Sequence, residues 1–472
     1  MISDLKPYAE YKESGLPWLG QVPRHWDLRP AFGAFVSNHE RNTGLKEKTV
    51  LSLSYGRIII KTAEKLHGLV PESFETYQIV NPGYIILRTT DLQNDHTSLR
   101  VGMVRDRGII TSAYLALRVT AGVNSEFGFQ FLNVWDSSKA IYGYGSGLRQ
   151  NLDFSHFKRM PVAVPLLAEQ TAIVRFLDWA NGRLDRAIRA KRKTIALLNE
   201  QKQAIIHRAV TRGIDPNVKF KPSGIPWLGE IPEHWEVPRV KQCACKISKG
   251  TTPSTEGRLI LESGPVRFLK AENINAGRIT DKPLCFIDEE TNCMIRRSQL
   301  AENDILFVIA GATLGKTAVV SGELLPANTN QAVAFIRPSS RVVPTFLELW
   351  FQSPRIKELI WLNAVQSAQP NLSMADLGNF VISGPPRNEQ QQILDFVEEV
   401  TKPISNAITR LEREITLLRE YRTRLVSDVV TGKLDVRAAA AKLPDEAMLN
   451  TAEEYTDPEF NNPETNEMEA NI

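Results

Sequence analysis

The chain has 472 residues, of which 42% are apolar and 24% are charged, a composition typical of a globular protein with two or three domains. No stretch approaches the roughly 18 consecutive apolar residues of a membrane span, and the first residues lack the apolar core of a secretory signal. These features argue against a membrane-embedded or secreted protein. We therefore expect a cytoplasmic location.

The charge is unevenly distributed along the chain. The formal net charge is +3, but the last thirty residues hold nine acidic residues and no Lys or Arg, which leaves an excess of +12 on the rest. A basic excess of this size is compatible with a polyanionic partner and is also common in proteins that never bind nucleic acid. The acidic end is rich in Asn, Glu, Thr and Pro and is predicted to be disordered.

Two sequence blocks occur twice, one opening and one closing each half of the chain. Residues 15–26, GLPWLGQVPRHW, return almost unchanged as residues 224–235, GIPWLGEIPEHW. Residues 165–176, PLLAEQTAIVRF, align with residues 385–396, PPRNEQQQILDF. The repetition indicates an internal duplication. Each opening block and its closing block, which together we call a frame, are kept, and the region between them has diverged. His25 of the opening block, like its copy, is predicted to pack or cap structure.

The regions between these blocks, residues 27–160 and 236–380, are predicted to be mixed α/β domains with short strands. Apolar runs of four to six residues separated by polar loops indicate the strands. The predicted strands are Tyr84–Leu87 and Tyr114–Val119 in the first region, and Asp304–Ile309, Gly315–Val320 and Gln331–Ile336 in the second.

Catalytic and metal-binding motifs are weak in this chain. The loop 311–317, GATLGKT, resembles a phosphate-binding loop, but it has three residues between its glycines instead of four and leads into a predicted strand instead of a helix. The four cysteines lack paired C-x-x-C spacing, so reduced thiols are favoured over a zinc site. They are Cys243, Cys245, Cys285 and Cys293. We predict that the chain is not an enzyme and binds no cofactor or metal itself.

A long, highly charged helix is predicted after each closing block. In the second helix, apolar residues recur at alternating steps of four and three, with Arg422 at one otherwise apolar place, which is typical of a coiled-coil seam. The first helix has the same register, with Lys202 at the matching place. The seam residues are Leu184, Ile188, Lys191, Ile195, Leu198, Ile205 and Ala209 in the first helix and Ile404, Ile408, Leu411, Ile415, Leu418, Leu425 and Val429 in the second.

The two helices could pair with each other or with another chain. Because both belong to one chain, their effective concentration is high, which favours an intrachain antiparallel pair. The predicted fold class is α/β (α+β): two mixed domains separated by two long helices that pair as an antiparallel coiled coil, with a pseudo-twofold internal repeat. The expected segments are a first domain at 1–165, a central helix at 166–215, a second domain at 216–384, a carboxy-terminal helix at 385–436 and an acidic disordered tail at 437–472.

The order of these blocks resembles the specificity (S) subunits of type I restriction-modification systems. The resemblance covers about residues 10 to 436 and rests on the two P-W-L-G-x-x-P-x-H-W openers and the two P-x-x-x-E-Q closers that run into long helices. Further matching segments lie in the second half: ISKGTTPS at 247–254, FLKAENI at 268–274, the loop 311–317, and QPNLS at 369–373.

The resemblance implies that each variable region is a target recognition domain reading one half of a bipartite, asymmetric DNA sequence. It also implies that the helices fix the spacer between the half-sites and dock two methyltransferase (modification) subunits. Motor-nuclease (restriction) subunits would join for cleavage. S-adenosylmethionine, and ATP with Mg²⁺ for restriction, would be bound by those partner subunits.

Candidate DNA contacts are polar and basic residues in the predicted loops, because Arg and Lys can bond guanine edges or phosphates and Asn and Gln can bond adenine edges. The first domain offers weaker candidates, since it lacks clear counterparts of ISKGTTP and of the loop 311–317. The candidates are Ser54, Tyr55, Arg57, Arg88, Thr90, Tyr144, Arg149 and Gln150 in the first domain, and Lys249, Thr251, Lys270, Asn273, Thr313, Lys316, Asn328, Asn330 and Gln369 in the second.

Two other functions are compatible with the sequence. One is a duplicated coiled-coil scaffold whose flanking domains bind proteins and not DNA, in which case affinity for DNA would lack the steep salt dependence of phosphate contacts. The other is an enzyme that uses the loop 311–317 to bind a nucleotide, in which case Lys316 would be essential for hydrolysis.

Overall fold

The computed structural model describes residues 5–61, 73–90, 92–93, 99–144, 151–275, 277–364 and 371–444. The chain divides into two units. The first unit comprises Met1–Ala190 and Glu414–Ile472, and the second comprises Lys191–Arg413. Each long helix therefore contributes one part to each unit.

The first unit is a mixed helix and strand domain. Its strands are β1 (Tyr11–Glu13), β2 (Gln21–Pro23), β3 (Asp27–Pro30), β4 (Phe35–Ser37), β5 (Leu51–Ser54), β6 (Arg57–Ile60), β7 (Gln78–Val80), β8 (Ile85–Leu87), β9 (Val101–Met103), β10 (Gly108–Ile110), β11 (Leu115–Val119) and β12 (Pro161–Val164). The helices are α1 (Ser125–Ser137), α2 (Phe154–Phe157) and the first part of α3 (Leu167–Arg212).

The core of the first unit lies between a four-stranded sheet and the helices. The sheet has the order β4-β11-β8-β9, and every neighbouring pair is antiparallel. Strand β8 reads Ile-Ile-Leu and is buried throughout, as expected for a strand covered on both faces. Helix α1 begins at Asn124, whose side chain accepts hydrogen bonds from the backbone N–H groups of Glu126 and Phe127. Phe127 and Phe131 of α1 are fully buried in this core.

The second unit is built from the same kinds of element. Its strands are β13 (Phe220–Pro222), β14 (Glu230–Pro232), β15 (Ala244–Lys249), β16 (Val266–Leu269), β17 (Ile274–Asn275), β18 (Arg278–Ile279), β19 (Phe286–Ile287), β20 (Ile305–Val308), β21 (Thr317–Val319), β22 (Ala327–Thr329) and β23 (Val333–Pro338). The helices are α4 (Glu289–Met294), α5 (Pro344–Gln352), α6 (Pro354–Ala364), α7 (Met374–Asn379) and most of α8 (Arg387–Val430). The short α9 (Arg437–Ala440) follows in the first unit.

The main sheet of the second unit has the order β15-β23-β20-β21, again antiparallel throughout. The central strands of the two sheets, β8 with β11 and β20 with β23, therefore occupy the same places. All five strands predicted from apolar runs are confirmed as β8, β11, β20, β21 and β23. The second unit also has a three-stranded sheet, β19-β16-β22, which includes the parallel pair β16 and β22.

The long helices contact each other within each unit. In the first unit, Arg422 Nη1 donates to Asp185 Oδ1 at 2.7 Å, and in the second unit Lys202 Nζ donates to Ser405 Oγ at 2.9 Å. The predicted apolar seam residues are buried or half-buried, whereas the positions between them are mostly exposed. Lys202 and Arg422, which occupy matching places in the seam, thus both have polar partners.

One predicted boundary requires correction. Composition places residues 437–444 in the disordered tail, but they form α9 and a following turn in the first unit. Ala440 and Leu443 are 2% and 5% exposed, so apolar burial orders this stretch. Residues 445–472 lie outside the described residues. Among the described helices, none has the length and apolar character needed to cross a bilayer.

Candidate nucleic-acid interface

The first opening block is fixed to the first closing block through Glu169 at the start of α3. Tyr8 donates its hydroxyl to Glu169 Oε1 at 2.7 Å, and Trp26 Nε1 donates to the same oxygen at 3.0 Å. His25 Nε2 lies 2.8 Å from Glu169 Oε2. Burial and the hydrogen bond to this carboxylate raise the pKa of Tyr8 above its ordinary value. The repeated His-Trp and Glu residues therefore join the opening block to the closing block.

The second frame repeats this contact with fewer donors. His234 Nε2 lies 2.8 Å from Glu389 Oε2, in the same way as the first pair. Trp235 is fully buried, but its Nε1 has no hydrogen-bond partner among the described residues. The end of α3 closes over this tryptophan at Gly213, where a Cβ atom would come within 3.2 Å of the indole.

The glutamine of each closing block ties the long helix to a recognition domain. Gln170 Oε1 accepts from the backbone N–H of Asn124, which begins α1, at 2.7 Å. Gln390 Oε1 accepts from the backbone N–H of Val343, which begins α5, at the same distance. The ring contacts of Trp18 with Phe131 and of Trp227 with Trp350 are matched in the same way. The Glu-Gln pair thus fixes each domain on its helix.

In the second unit, strand ends meet along one edge of the domain. Lys249 at the end of β15 pairs with Ala334, and Val308 at the end of β20 pairs with Val333, so both strands end beside the start of β23. Gly250 follows, and a Cβ atom there would lie 2.1 Å from the carbonyl oxygen of Asn330. The glycine is needed because two backbone segments cross here.

Three more candidates lie on the same edge. The backbone N–H of Thr251 donates to the carbonyl of Thr329 at the end of β22. Strand β16 ends beside β22, and Lys270 follows it directly. The backbone N–H of Asn330 donates to the carbonyl of Leu269, which places Asn330 next to Lys270. Lys249 is exposed, while Thr251, Lys270 and Asn330 are half-buried, so polar and basic residues are grouped along this edge.

Thr313 and Lys316 lie on the loop 309–316, which joins β20 to β21. Gly311 and Gly315 have φ angles of +88° and +81°, which shape the tight turn between the two antiparallel strands. The loop leads into a strand, as the sequence predicted, and it closes a β-hairpin that presents no helix N-terminus to a phosphate. It leaves Thr313 and Lys316 half-buried at the strand ends.

Asn273 and Asn328 do not belong to this surface. Both are fully buried. Asn273 Nδ2 donates to the carbonyls of Thr280 and Pro283, and its Oδ1 accepts from the backbone N–H of Lys270. Asn328 bonds Asn292 and the backbone N–H of Thr329. Their amides are satisfied within the domain, so as a correction we leave both out of the proposed contact set.

In the first unit, Ser54 and Arg57 flank the turn of the hairpin β5–β6. They pair with each other across the turn formed by Tyr55 and Gly56, whose φ angles are +46° and +76°. A positive φ at an aromatic residue is strained and is maintained by its surroundings. Gly56 packs against Leu99, where its Cβ would lie 3.2 Å from the side chain. Arg57 is exposed at this tip.

Arg88 and Thr90 follow β8, and a buried arginine fixes them. Arg100 is fully buried, and its Nη1 donates to the carbonyls of Thr90 at 2.8 Å and Arg88 at 3.3 Å. Its backbone N–H donates to Asp136, whose pKa is raised by burial, an effect that this hydrogen bond partly offsets. Tyr144 packs edge-on against Trp135. Arg149, Gln150 and Gln369 lie outside the described residues.

The strand order shows that the loop 309–316 of the second unit has a counterpart in the first unit, which the sequence did not reveal. The residues that join β8 to β9, 88–100, take the same topological place as the loop 309–316 between β20 and β21. The two segments differ in length and share no motif, so the strand order is what relates them. Arg100 was also missed, because nothing in the sequence distinguishes a buried loop arginine from an exposed one.

Comparison with known proteins defines the class. The family model for the type I restriction modification DNA specificity domain matches residues 232–417, which include the main sheet of the second unit and much of α8. The EcoBI type I specificity subunit of Escherichia coli is 25% identical over 338 residues, covering 64% of this chain and 70% of that subunit. The MjaVIII specificity subunit of Methanocaldococcus jannaschii is 25% identical over 336 residues, covering 70% and 75%.

A solved structure shares the fold. A chain from work on complex assembly and conformational transition of the type I R-M system superposes with a TM-score of 0.60 at 16% identity, covering 88% of this chain and 99% of that one. The second unit thus carries a type I DNA specificity domain. Over about two thirds of its length the chain is similar to the specificity subunits of type I restriction-modification systems.

Proposed function

We propose that this chain is the DNA specificity subunit of a type I restriction-modification complex and that each domain reads one half of a bipartite, asymmetric target. The main supporting observation is that each domain has polar and basic residues at the equivalent ends of the strands of its four-stranded sheet. Arg88 follows β8, Lys249 is the last residue of β15, and the loop 309–316 follows β20. Divergent loops on a shared sheet are what two different half-sites require.

The proposed contact set combines phosphate contacts with base contacts. Exposed Lys249 and Arg57 suit phosphates, whereas half-buried Lys270, Lys316 and Arg88 have the more restricted positions suited to base edges. An excess of only +12 outside the acidic end suggests that partner subunits share the phosphate contacts.

The helices are proposed to form an antiparallel coiled coil that relates two copies of one ancestral unit. Two polar contacts support this arrangement. Lys202 bonds Ser405 in one unit, and Arg422 bonds Asp185 in the other. Adding 220 to Asp185 and Lys202 gives the positions of Ser405 and Arg422, so each contact is the copy of the other with the helices exchanged. A rod of this kind would fix the spacer between the half-sites.

The proposed partners are double-stranded DNA, two methyltransferase subunits docked on the helices and motor-nuclease subunits for cleavage. In this proposal the chain itself is non-catalytic and acts in the cytoplasm. S-adenosylmethionine would be bound by the methyltransferase subunits, and ATP with Mg²⁺ by the restriction machinery.

Methylome sequencing tests the proposal. Cells would express this chain with its neighbouring methyltransferase, either intact or with residues 236–380 exchanged for those of a relative. We expect a bipartite N6-methyladenine motif in which the exchange alters one half-site and leaves the other unchanged. Alteration of both half-sites would contradict independent domains. Absence of any motif beside an active methyltransferase would favour the protein-binding scaffold.

Helix length gives a second test. Inserting one heptad into both α3 and α8 preserves the seam register and lengthens the proposed rod by about 10 Å. The tolerated spacer should lengthen while both half-sites stay the same. An unchanged spacer would contradict the role of the helices as a ruler.

A further inference from the structure

The two recognition domains share one exposed side chain in a stretch that has otherwise diverged. A shift of 220 positions aligns residues 151–164 with residues 371–384 without a gap. Across these fourteen positions, the only identical residues are the pair Asn151 and Leu152 and its copy, Asn371 and Leu372. Over the first seven positions, exposed and buried residues follow one another in the same order in both stretches. The two stretches therefore occupy equivalent places in their domains.

Packing accounts for the leucine of each pair. Leu152 and Leu372 are 2% and 1% exposed and lie in the main apolar core of their units. Their backbone N–H groups donate to the carbonyls of Thr89 at 2.9 Å and of Ile309 at 2.8 Å. A shift of 220 also relates Thr89 to Ile309. Each stretch is thus fixed at the same point, just after the central strand β8 or β20 ends.

Neither packing nor backbone geometry accounts for the asparagine. Asn151 and Asn371 are both exposed, so core packing does not require them. The following helices, α2 and α7, are capped by the next residue, Asp153 or Ser373, whose side chain accepts a backbone N–H. Neither asparagine is among the described residues with a positive φ angle, a conformation that favours asparagine. The exposed amide is therefore common to both domains for a reason other than folding.

Both asparagines lie beside the segments that carry candidate DNA contacts. Asn371 forms an antiparallel bridge with Ala310, the second residue of the loop 309–316. In the first unit, the residue after Asn151 is hydrogen-bonded to Thr89, which lies between two of the candidate contacts. Each amide is thus next to the proposed DNA-binding surface of its domain.

A side chain shared by two domains that read different sequences suits a feature that both half-sites have in common. Base edges differ between two half-sites, whereas the sugar-phosphate backbone is the same in both. A target adenine in each half would also be shared, but a DNA methyltransferase extrudes its target base from the duplex, which removes that base from the specificity domain. The asparagine amide is a neutral N–H donor and suits a phosphate oxygen.

We propose that Asn151 and Asn371 are a matched pair of phosphate contacts that position the two half-sites on their domains. Each amide donates through Nδ2 to a phosphate oxygen at the equivalent place in its half-site. The pair sets the register and orientation of the duplex and reads no base. This role rests on the proposed function, since both domains must bind DNA for it.

DNA binding by the chain assembled with its methyltransferase tests this role. The probe is a duplex carrying the bipartite motif that methylome sequencing identifies, titrated at several salt concentrations beside a duplex of unrelated sequence. We expect Asn151→Ala and Asn371→Ala each to weaken binding of the motif about fivefold, and the double variant about 25-fold, with the motif itself unchanged. The salt slope should stay the same, because a neutral amide releases no counterion. Asn371→Lys should recover affinity and steepen the slope by about one.

Neutral methylphosphonate linkages locate the contact. Replacing the phosphates of one half-site singly should reveal a position at which the unaltered complex loses affinity and Asn371→Ala loses no more. Asn151→Ala should be insensitive at the equivalent position of the other half-site. A variant that acted only through loop structure would stay sensitive at every linkage. Asn217→Ala, which alters an exposed asparagine in the turn after α3, is the control and should bind as the unaltered chain does.

Three results would overturn this role and leave the proposed function standing. The first is unchanged affinity of both alanine variants for a motif that is still methylated. The second is an altered base in the methylated motif, which would make the asparagines base readers. The third is weaker assembly with the methyltransferase in the absence of DNA, which would make the partner protein the shared feature. Absence of any motif beside an active methyltransferase would instead remove the proposed function, and this role with it.

Discussion

The two closing blocks carry the same glutamate in different surroundings. Glu169 accepts hydrogen bonds from Tyr8 and Trp26 as well as contacting His25, and its side chain is 4% exposed. Glu389 contacts His234, its side chain is 17% exposed, and the neighbouring Trp235 Nε1 lacks a partner among the described residues. A duplicated motif thus keeps its residues while the free energy that each residue contributes changes with its neighbours.

Glutamate removal gives the largest expected difference between the frames. Glu169→Ala leaves two buried donors unsatisfied, which should cost roughly 3–5 kcal/mol in the free energy of unfolding, whereas Glu389→Ala should cost about 1 kcal/mol. Calorimetry on the full chain would show the first unit unfolding several degrees lower with the former variant.

Glu169→Gln is the matched control, because it keeps an acceptor for both donors and should recover part of the lost stability. Equal destabilisation by Glu169→Ala and Glu389→Ala would mean that Tyr8 and Trp26 add nothing to the first frame.

The glycines that follow the long helices, Gly432 after α8 and Gly213 after α3, also differ between the two frames. Gly432 and Gly213 have φ angles of +78° and +73°, so alanine is strained at both positions. A Cβ at Gly432 would lie 2.3 Å from Pro23, whereas at Gly213 its nearest neighbour is Trp235 at 3.2 Å. We expect Gly432→Ala to cost about 3 kcal/mol and Gly213→Ala about 1–2 kcal/mol.

Thermal unfolding measures both glycine variants. Gly182→Ala is the control: it lies inside α3 with open space around its Cβ, and it should stabilise the helix by up to about 1 kcal/mol. A larger loss with Gly213→Ala than with Gly432→Ala would show that the first frame is the more adaptable one.

The elements whose apolar residues recur at regular spacing could be predicted from the sequence, and those that depend on tertiary contacts could not. The seam residues of α3 and α8 and strands such as β20 and β8 are visible because burial imposes spacing on the sequence. The sequence did not predict that Ala440 and Leu443 are ordered. A short alanine-rich segment beside an acidic tail has no periodic pattern of its own, and it is ordered by contacts with the rest of the first unit.

The candidate contacts divide for the same reason. Lys249 and Asn273 have similar polar surroundings in the sequence, but one is exposed and the other fully buried. The path of β22 and of the loop after β16 places the Asn273 amide inside the domain, and the sequence does not reveal that path. The sequence therefore identifies polar loop residues as a class, but tertiary contacts decide which of them face outward.

This contrast yields a prediction within the second domain. Lys249→Ala and Lys316→Ala should each weaken DNA binding by the assembled complex several-fold, with thermal stability unchanged. Each variant that no longer neutralises a phosphate should also lower the salt slope by about one. Asn273→Ala should instead lower stability by roughly 1–3 kcal/mol, because the hydrogen bonds of the buried Asn273 amide to the carbonyls of Thr280 and Pro283 and from the backbone N–H of Lys270 would be lost. Binding titrations at several salt concentrations, paired with melting curves, separate the two classes. Reduced stability of both lysine variants would remove those residues from the contact set.

The smallest expected effect distinguishes the helices α1 and α5 by pH. Glu348 of α5 is 8% exposed, and counting from the helix starts at Asn124 and Val343 places it at the position of Phe129 in α1. Burial raises the pKa of Glu348, although hydrogen bonds from Gln352 and Thr317 and the charge of Lys357 offset part of the rise. Burial also lowers the pKa of Lys357.

A raised carboxyl pKa in the folded state means that the unfolded chain ionises first as the pH rises, so stability falls across that interval. Glu348→Gln removes this effect while Thr317 keeps an acceptor 3.0 Å away. The variant should therefore melt higher than the unaltered chain at pH 8 and show no gain at pH 4. Glu358→Gln, on the exposed face of α6, is the control and should change melting little at either pH. If Glu348→Gln melts lower at pH 8, the carboxylate stabilises α5 through Lys357 despite its burial, and the second domain depends on a buried charge that the first domain replaces with an aromatic ring.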